Sequence, residues 1–254
     1  MAYALDKWTK YKFLIKSKSL TKALPLTKKM NRKNFWSMLE QFQKAIVKPS
    51  TGSGGRGVLR ISKSRNGRYH VHSGSTKHTF RGKKATYHFI HRKIKGSSHI
   101  IQQYIPLARI DKRPFDIRAM VQRSKNSKWK LTGSLAKIAG SGYFITNVAR
   151  SKGKVVTVPT AIQSSNIHIL QKKEKKIQNK IKKLSLKTAE KLQKYYPFLH
   201  TIGLDVGLDK EGRVWIIEAN FSPNKELFLR LKDKSIYKQI IKYSPKTKKK
   251  SKRK

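Results

Sequence analysis

Two carboxylates and one amide near the C-terminal end have the types and spacing to do chemistry. Asp205 lies in the apolar run Gly203-Leu204-Asp205-Val206-Gly207-Leu208, and Glu218 and Asn220 lie in Trp215-Ile216-Ile217-Glu218-Ala219-Asn220. The turn residues Asp209-Lys210-Glu211-Gly212 between the runs predict adjacent hairpin strands. Side chains alternate along a strand, so Glu218 and Asn220 share a face and Asp205 can meet them from the partner strand. Two carboxylates and an amide oxygen at one end of a sheet would suit Mg²⁺. Acids are scarce, with 12 Asp and Glu against 61 Lys and Arg, so two inside apolar strands call for a reason. On these residues alone, a metal cage and a strand pair whose acids are satisfied by lysines stand as alternatives.

Other segments could hold an anion. Gly52 to Gly57, between two predicted strands, can bring backbone N–H groups close to phosphate oxygens, with Lys48 and Arg56 adding charge. No GK[ST] follows, so this is not a Walker A loop, and a flexible turn fits equally well. Arg113-Pro114-Phe115-Asp116-Ile117-Arg118 places Asp116 and Arg118 on one strand face, as a phosphate clamp or a cross-strand ion pair. Gln102-Gln103-Tyr104-Ile105 could form an edge that meets an adenine, or merely a strand. The eight histidines show no metal-ligand spacing, and no GxSxG nucleophile elbow is present.

These residues need elements to hold them. Phe35, Leu39, Phe42 and Ile46 recur at helical spacing and predict an amphipathic helix over 31–46. Short strands are expected at 45–49, 58–61, 69–72 and 99–105, with a turn at Asn66-Gly67. A hairpin is expected from Phe115–Arg123 and Trp129–Lys137. A long basic helix should run from Leu170 to Tyr195, with Ile177, Ile181, Leu184 and Leu192 on one face. The stretches 82–96 and 164–176 read as loops.

With 254 residues and 37% hydrophobic content, the chain can bury a sizeable core. It has no cysteine, which excludes disulfides and thiolate chemistry. Neither a transmembrane run nor a basic-then-apolar leader is seen, which predicts a cytoplasmic protein. The net charge of +49 would attract any polyanion, but only seven of the basic residues lie in the tail from Pro245, and no nucleic-acid-binding motif accompanies the rest. A solvated lysine-rich surface and a polyanion partner both fit.

Taken in order, the pieces resemble the ATP-grasp superfamily, and more closely its YheC/YheD-like, endospore coat-associated proteins. The resemblance runs over nearly the whole chain through Asp6-Lys7-Trp8, Val47-Lys48-Pro49, Gly52 to Gly57, Gln103-Tyr104-Ile105, Phe115-Asp116-Ile117-Arg118, Thr146-Asn147 and Glu218-Ala219-Asn220-Phe221-Ser222-Pro223. It implies an α+β fold of two lobes with ATP between them. The expected organisation is one domain over 1–243, with a small glycine-loop lobe near 44–104 and a larger metal-binding lobe near 105–243. Residues 1–30 should approach the small lobe, and 244–254 should be a disordered basic tail. The extra N-terminal α/β domain common in such enzymes is expected to be missing.

Residue by residue, the resemblance makes Lys7 and Lys48 phosphate contacts, and Gly54, Gly55 and Gly57 the loop over the triphosphate. Gln103, Tyr104 and Ile105 become the adenine-edge linker and Arg118 the contact to the transferred phosphate. Asp205, Glu218 and Asn220 become ligands for Mg²⁺ or Mn²⁺. The implied activity is that of a ligase, in which ATP activates a carboxylate as an acyl phosphate for attack by a nucleophile such as an amine. Spore association is also implied. The alternative is a non-catalytic, strongly basic structural or polyanion-binding protein on the same scaffold. Departures from the family lie at Lys137, where many relatives place an arginine, and at Val148 to Gly153, where a glycine pair is usual.

Overall fold

The structure is a computed structural model and describes residues 3–52, 54–125, 127–167 and 174–244. Two helices come first, α1 (Lys7–Leu14) and α2 (Lys18–Thr21), followed by strand β1 (Thr27–Lys29) and helix α3 (Arg32–Phe42). Asn31 caps α3 by accepting from the Asn34 amide at 2.7 Å, and Gln43 closes it in the left-handed region. Strands β2 (Lys44–Pro49), β3 (Leu59–Lys63), β4 (Arg68–Ser73) and β5 (Thr76–Arg81) follow, then helix α4 (Lys83–Ile94) and strand β6 (His99–Gln103). These strands form an antiparallel sheet in the order β1-β6-β2-β3-β4-β5. Phe35, Met38 and Leu39 of α3 and Ile90 of α4 pack on Val47, Ile61, Val71 and Ile101 of the sheet.

The second half contains β7 (Arg109–Ile110), β8 (Arg113–Gln122), β9 (Lys130–Ile138), α5 (Val148–Ser151), β10 (Lys154–Val156) and α6 (Val158–Gln163). It continues with α7 (Glu174–Gln193), β11 (Thr201–Leu208), β12 (Val214–Asn220), a 3₁₀ turn at Glu226–Arg230 and α8 (Ser235–Lys242). The second sheet runs β10-β9-β8-β11-β12, antiparallel throughout, with β7 paired to β8. Strand alternation gives it two different faces. Ile117, Ala119, Val121, Leu204 and Val206 point into the main core beneath α1, α6 and α7. Met120 and Leu135 point the other way, under Phe228 and Ile240. Asp116 and Arg118 share the parity of Met120 but lie beyond that cover, so they open toward the first sheet.

Several expectations need correction. The stretch 82–96 is not a loop, because Lys83–Ile94 is helical and buries Thr86 and Ile90. Its basic residues hide the apolar side that packing on the sheet rewards. Residues 1–30 approach the small lobe only in part: Asp6 and Lys7 touch Ser50 and Gly52, but the apolar side chains of α1 and α2 turn to the other half. Phe13, Leu14, Leu20, Ala23 and Leu24 pack in the core of the second sheet, and only β1 joins the first. β5 was not expected, and α7 already begins at Glu174, inside the expected 164–176 loop. The expected start of that helix at Leu170 and the expected disorder from Pro245 onward lie outside the described residues.

Phe35 is fully buried between α3 and the first sheet. Phe35→Ala should therefore destabilise this half by about 3–5 kcal/mol. Hydrogen exchange of the β2 and β6 amides should accelerate accordingly, and unchanged protection would contradict the packing described.

Candidate functional site

The carboxylates of the second sheet are aimed by a β-bulge. In β12, Val214 and Ile216 face the core, and simple alternation would send Glu218 there too. Instead Asp205 pairs with Glu218 while Val206 pairs with Ile216, leaving Ile217 as the extra residue. The bulge resets the alternation, so Ala219 enters the core and Glu218 and Asn220 turn out to the open face. Gly203, beside them, must be small, since a Cβ there would fall 2.4 Å from Pro223 Cβ and 3.2 Å from an Arg118 nitrogen.

Asp205 sits opposite Arg118 on β8, and its Oδ1 accepts from Arg118 Nε at 2.9 Å and from Lys137 Nζ at 2.8 Å. Lys137 Nζ also lies 3.0 Å from Asp116 Oδ1, and Thr146 donates to the other oxygen of Asp116. Burial alone would push Asp205 up, but Arg118 and Lys137 outweigh it and hold the carboxyl well below the usual range. The outcome reverses at Asp116, where burial, with Asp205 adding to it, prevails over Lys137 and pushes the carboxyl up to about 6. Lys137 is fully enclosed between the two acids, which keep it charged against burial. Among the described residues, Asp205 Oδ2 accepts only from the Asn220 amide, at 3.4 Å.

The first sheet contributes the facing wall. Lys48, on β2, is buried and donates to Gln102 Oε1 at 2.9 Å, and Gln102 in turn donates to Thr27 Oγ1 at 2.9 Å. Burial lowers the Lys48 ammonium, with Glu218 and Asp205 pulling the other way. Lys7, in the first turn of α1, reaches Gly52 O at 2.7 Å and Glu218 Oε1 at 3.4 Å. Asp6 fixes this helix by accepting from the Trp8 and Thr9 amides and from Ser50 Oγ. In the glycine loop, Gly54, Gly55 and Gly57 all have φ near +70°, which side-chain-bearing residues rarely adopt. A Cβ on Gly55 would lie 2.8 Å from Ile145 Cδ1, so the loop rests against the Ile145–Asn147 segment of the other half.

Between the sheets lies a cleft of about 960 Å³. Every residue singled out from the sequence lines it: Lys7, Lys48, Gly54, Gly55, Gly57, Gln103, Tyr104, Ile105, Arg118, Asp205, Glu218 and Asn220. Gln103 to Ile105 run out of β6 along its wall, anchored by the Gln103 amide donating to Leu26 O at 2.8 Å. Seven lysines and arginines line the cleft against three acids. That excess, with hard oxygens at one end, can hold a polyphosphate.

The donor set fits Mg²⁺. No group of three or more His, Cys, Asp or Glu converges among the described residues. Two carboxylates are nonetheless enough when phosphates and water complete the shell. Among the described residues the ion pairs of Asp205 run through Oδ1, and rotation of the Asn220 amide would present its oxygen beside Oδ2.

Lys10 and Lys137 gained no role from sequence spacing. Lys10 is buried, donates to Ala219 O at 2.6 Å and lies 4.7 Å from the centre of the Phe221 ring, and burial lowers its pKa to about 8. The usable signal was its position three and four residues before Phe13 and Leu14, on the buried face of α1.

Asp116 carries a testable sign. Its folded pKa, near 6, exceeds the ordinary value of 3.8. The native state therefore binds the proton more tightly, and this group makes stability fall as pH rises from about 4 to about 6. Asp205, held low, acts oppositely below about 4. Asp116→Asn should remove the decline between pH 4 and 6 in denaturant unfolding. A variant profile parallel to the parent's would contradict the assignment.

The chain was also compared with known proteins. The model of the YheC/D like ATP-grasp family matches residues 2–246. Endospore coat-associated protein YheC of Bacillus subtilis (strain 168) is 24% identical over 230 residues, covering 89% of this chain and 62% of that protein. Endospore coat-associated protein YheD of the same organism is 25% identical, covering 74% and 41%. The chain thus spans less than two thirds of either relative. Among solved structures, an N5-carboxyaminoimidazole ribonucleotide synthetase from Thermotoga maritima matches with a TM-score of 0.49 and 13% identity, over 94% of this chain and 48% of that one. The ATP-grasp ligase PsnB, complexed with minimal precursor, Mg and ADP, matches at 0.48 and 11%, over 92% and 58%. With the family match running over nearly its whole length, the chain belongs to the YheC/D-like ATP-grasp family.

Proposed function

We propose that the cleft binds ATP with Mg²⁺ and that the protein is a ligase-type enzyme. The observation that carries this reading is the convergence, from two sheets, of a cation-rich wall and a bulge-aimed pair of carboxylates in one cleft. Lys7 and Lys48 would hold phosphate oxygens, and the amides of Gly54, Gly55 and Gly57 would close over them. Gln103 to Ile105 would present backbone groups to the adenine edge. Asp205, Glu218 and Asn220 would hold the metal, which when bound supplies charge neutralisation between the terminal phosphates.

In the proposed reaction a substrate carboxylate oxygen attacks the terminal phosphorus and ADP leaves, giving an acyl phosphate. A nucleophile, an amine in the simplest case, then attacks the acyl carbon, loses its proton and expels phosphate. Arg118 would balance the negative charge on the transferred group, and Lys137, now shared between Asp116 and Asp205, stands beside it. The names of the two Bacillus relatives support association with a spore coat. No helix among the described residues is long and apolar enough to cross a membrane.

Ligand-induced stabilisation tests the site. Mg·ATP at a hundredfold excess over its dissociation constant should raise unfolding free energy by about 2.7 kcal/mol. The double variant Glu218→Gln with Asn220→Ala should lose that gain while its ligand-free unfolding stays close to the parent's. An undiminished gain in the variant would make the triad purely structural.

A further inference from the structure

Helix α7 carries a charge pattern that the cleft does not use. Lys176, Lys180, Lys183, Lys187 and Lys191 recur every three or four residues, about one per turn, and Lys194 follows in the turn that ends the helix. They form a row along one side of a rod, spaced roughly 5.4 Å apart along the axis. The adjoining side, through Ile177, Ile181, Leu184 and Leu192, is buried against the second sheet. All six lysines are exposed or half-exposed.

Like charges at these spacings repel and weaken a helix. One acid, Glu190, is interleaved near the end of the row. Here none of the six lysines makes an ion pair among the described residues. All twelve acids of the chain lie within the described residues, so no side-chain carboxylate elsewhere is left to supply one. Glu174, in the first turn, is engaged by Gln163 and Gln178 instead. The row also gains a neighbour from the turn after α1: Lys16 and Lys191 both lie over the ring of Tyr195, at 5.9 and 5.7 Å. That ring is also stacked on Phe13 at 3.7 Å.

We propose that this row is a docking surface for the phosphate backbone of a nucleic-acid duplex, separate from the cleft and independent of its function. Lysine is a compact point charge suited to single phosphates. A straight, rigid row suits a straight, rigid partner, which loses little conformational freedom on binding. A duplex carries about one charge per 1.7 Å, and releasing its condensed counterions drives association. No aromatic side chain interrupts the row between Lys176 and Lys191, so there is no platform on which the bases of a single strand would stack. Contacts confined to the backbone make the binding independent of sequence.

The test uses the full chain and a short mixed-sequence DNA duplex, with binding followed by fluorescence anisotropy as salt is varied. Four row lysines are changed together (Lys176→Gln, Lys180→Gln, Lys183→Gln, Lys187→Gln). A control removes equal charge from the first half (Lys33→Gln, Lys77→Gln, Lys84→Gln, Lys95→Gln). Each lost phosphate contact reduces the slope of log affinity against log salt by about 0.9. The row variant should therefore lose about 3 in slope and the control less than about 1. The row variant should also melt at higher temperature in low salt, since repulsion along α7 is relieved. If the quadruple variant misfolds, the four single variants should each lose just under one in slope. Equal losses in the row and control variants would overturn the proposal in favour of a diffuse field. Displacement of the duplex by poly-glutamate at equal charge concentration would overturn the choice of partner.

Discussion

A carboxylate held between two cations at the open end of an apolar sheet governs the rest of this architecture. The Asp205 side chain is largely withdrawn from water, and an isolated charge there would be costly; Arg118 and Lys137 make it tolerable by donating to the same oxygen. The arrangement constrains three strands at once, because Arg118 on β8, Lys137 on β9 and Asp205 on β11 must stay in register for the contacts to exist. It also leaves one side of the carboxylate uncommitted, facing Glu218 and Asn220 across the bulge. Removing Lys137 would leave Asp116 without its cation, removing Arg118 would leave one ammonium shared between two acids, and removing Asp205 would leave Arg118 without an acid.

The same network explains why the cleft calls for a ligand. Lys48 and Lys10 are both buried ammonium groups whose charge burial disfavours, and Lys7 stands beside them. With three acids among seven basic residues, the cleft lacks internal compensation. A polyphosphate with its metal would satisfy both halves, the cations through phosphate oxygens and the acids through the metal. The first sheet positions its part by neutral contacts, Lys48 to Gln102 to Thr27, which direct an ammonium without neutralising it. An anionic partner there would have cancelled the charge that makes Lys48 useful.

Much of this was legible in the residues. The β11–β12 pairing, with Asp205 opposite Glu218, follows from two apolar runs and a turn. The Asn66-Gly67 turn and the β8–β9 hairpin likewise carry local signals, and Gly67 adopts the expected positive φ. What stayed hidden depends on tertiary contacts. Alternation alone cannot reveal that Ile217 is bulged, although Glu218 would otherwise face the core. α4 is masked by its lysines and histidines, since its few apolar residues matter only once a sheet lies beneath them. The attachment of α1 and α2 to the second sheet joins residues about two hundred positions apart, as in the bond from Lys10 to Ala219 O, and no local pattern encodes that distance. The sharing of Lys137 between Asp116 and Asp205 is of the same kind.

In the proposed function the bulge-aimed carboxylates hold a metal that the cationic wall helps a nucleotide to reach. A crystal structure of the chain grown with Mn²⁺ and a non-hydrolysable ATP analogue, read by anomalous scattering, tests it most directly. A metal peak is expected within coordination distance, about 2.1 Å, of oxygens of Asp205, Glu218 and Asn220. Phosphate oxygens should complete its shell, and Lys48 should face them. A nucleotide bound outside the cleft, or one bound there with no metal peak at these residues, would contradict it.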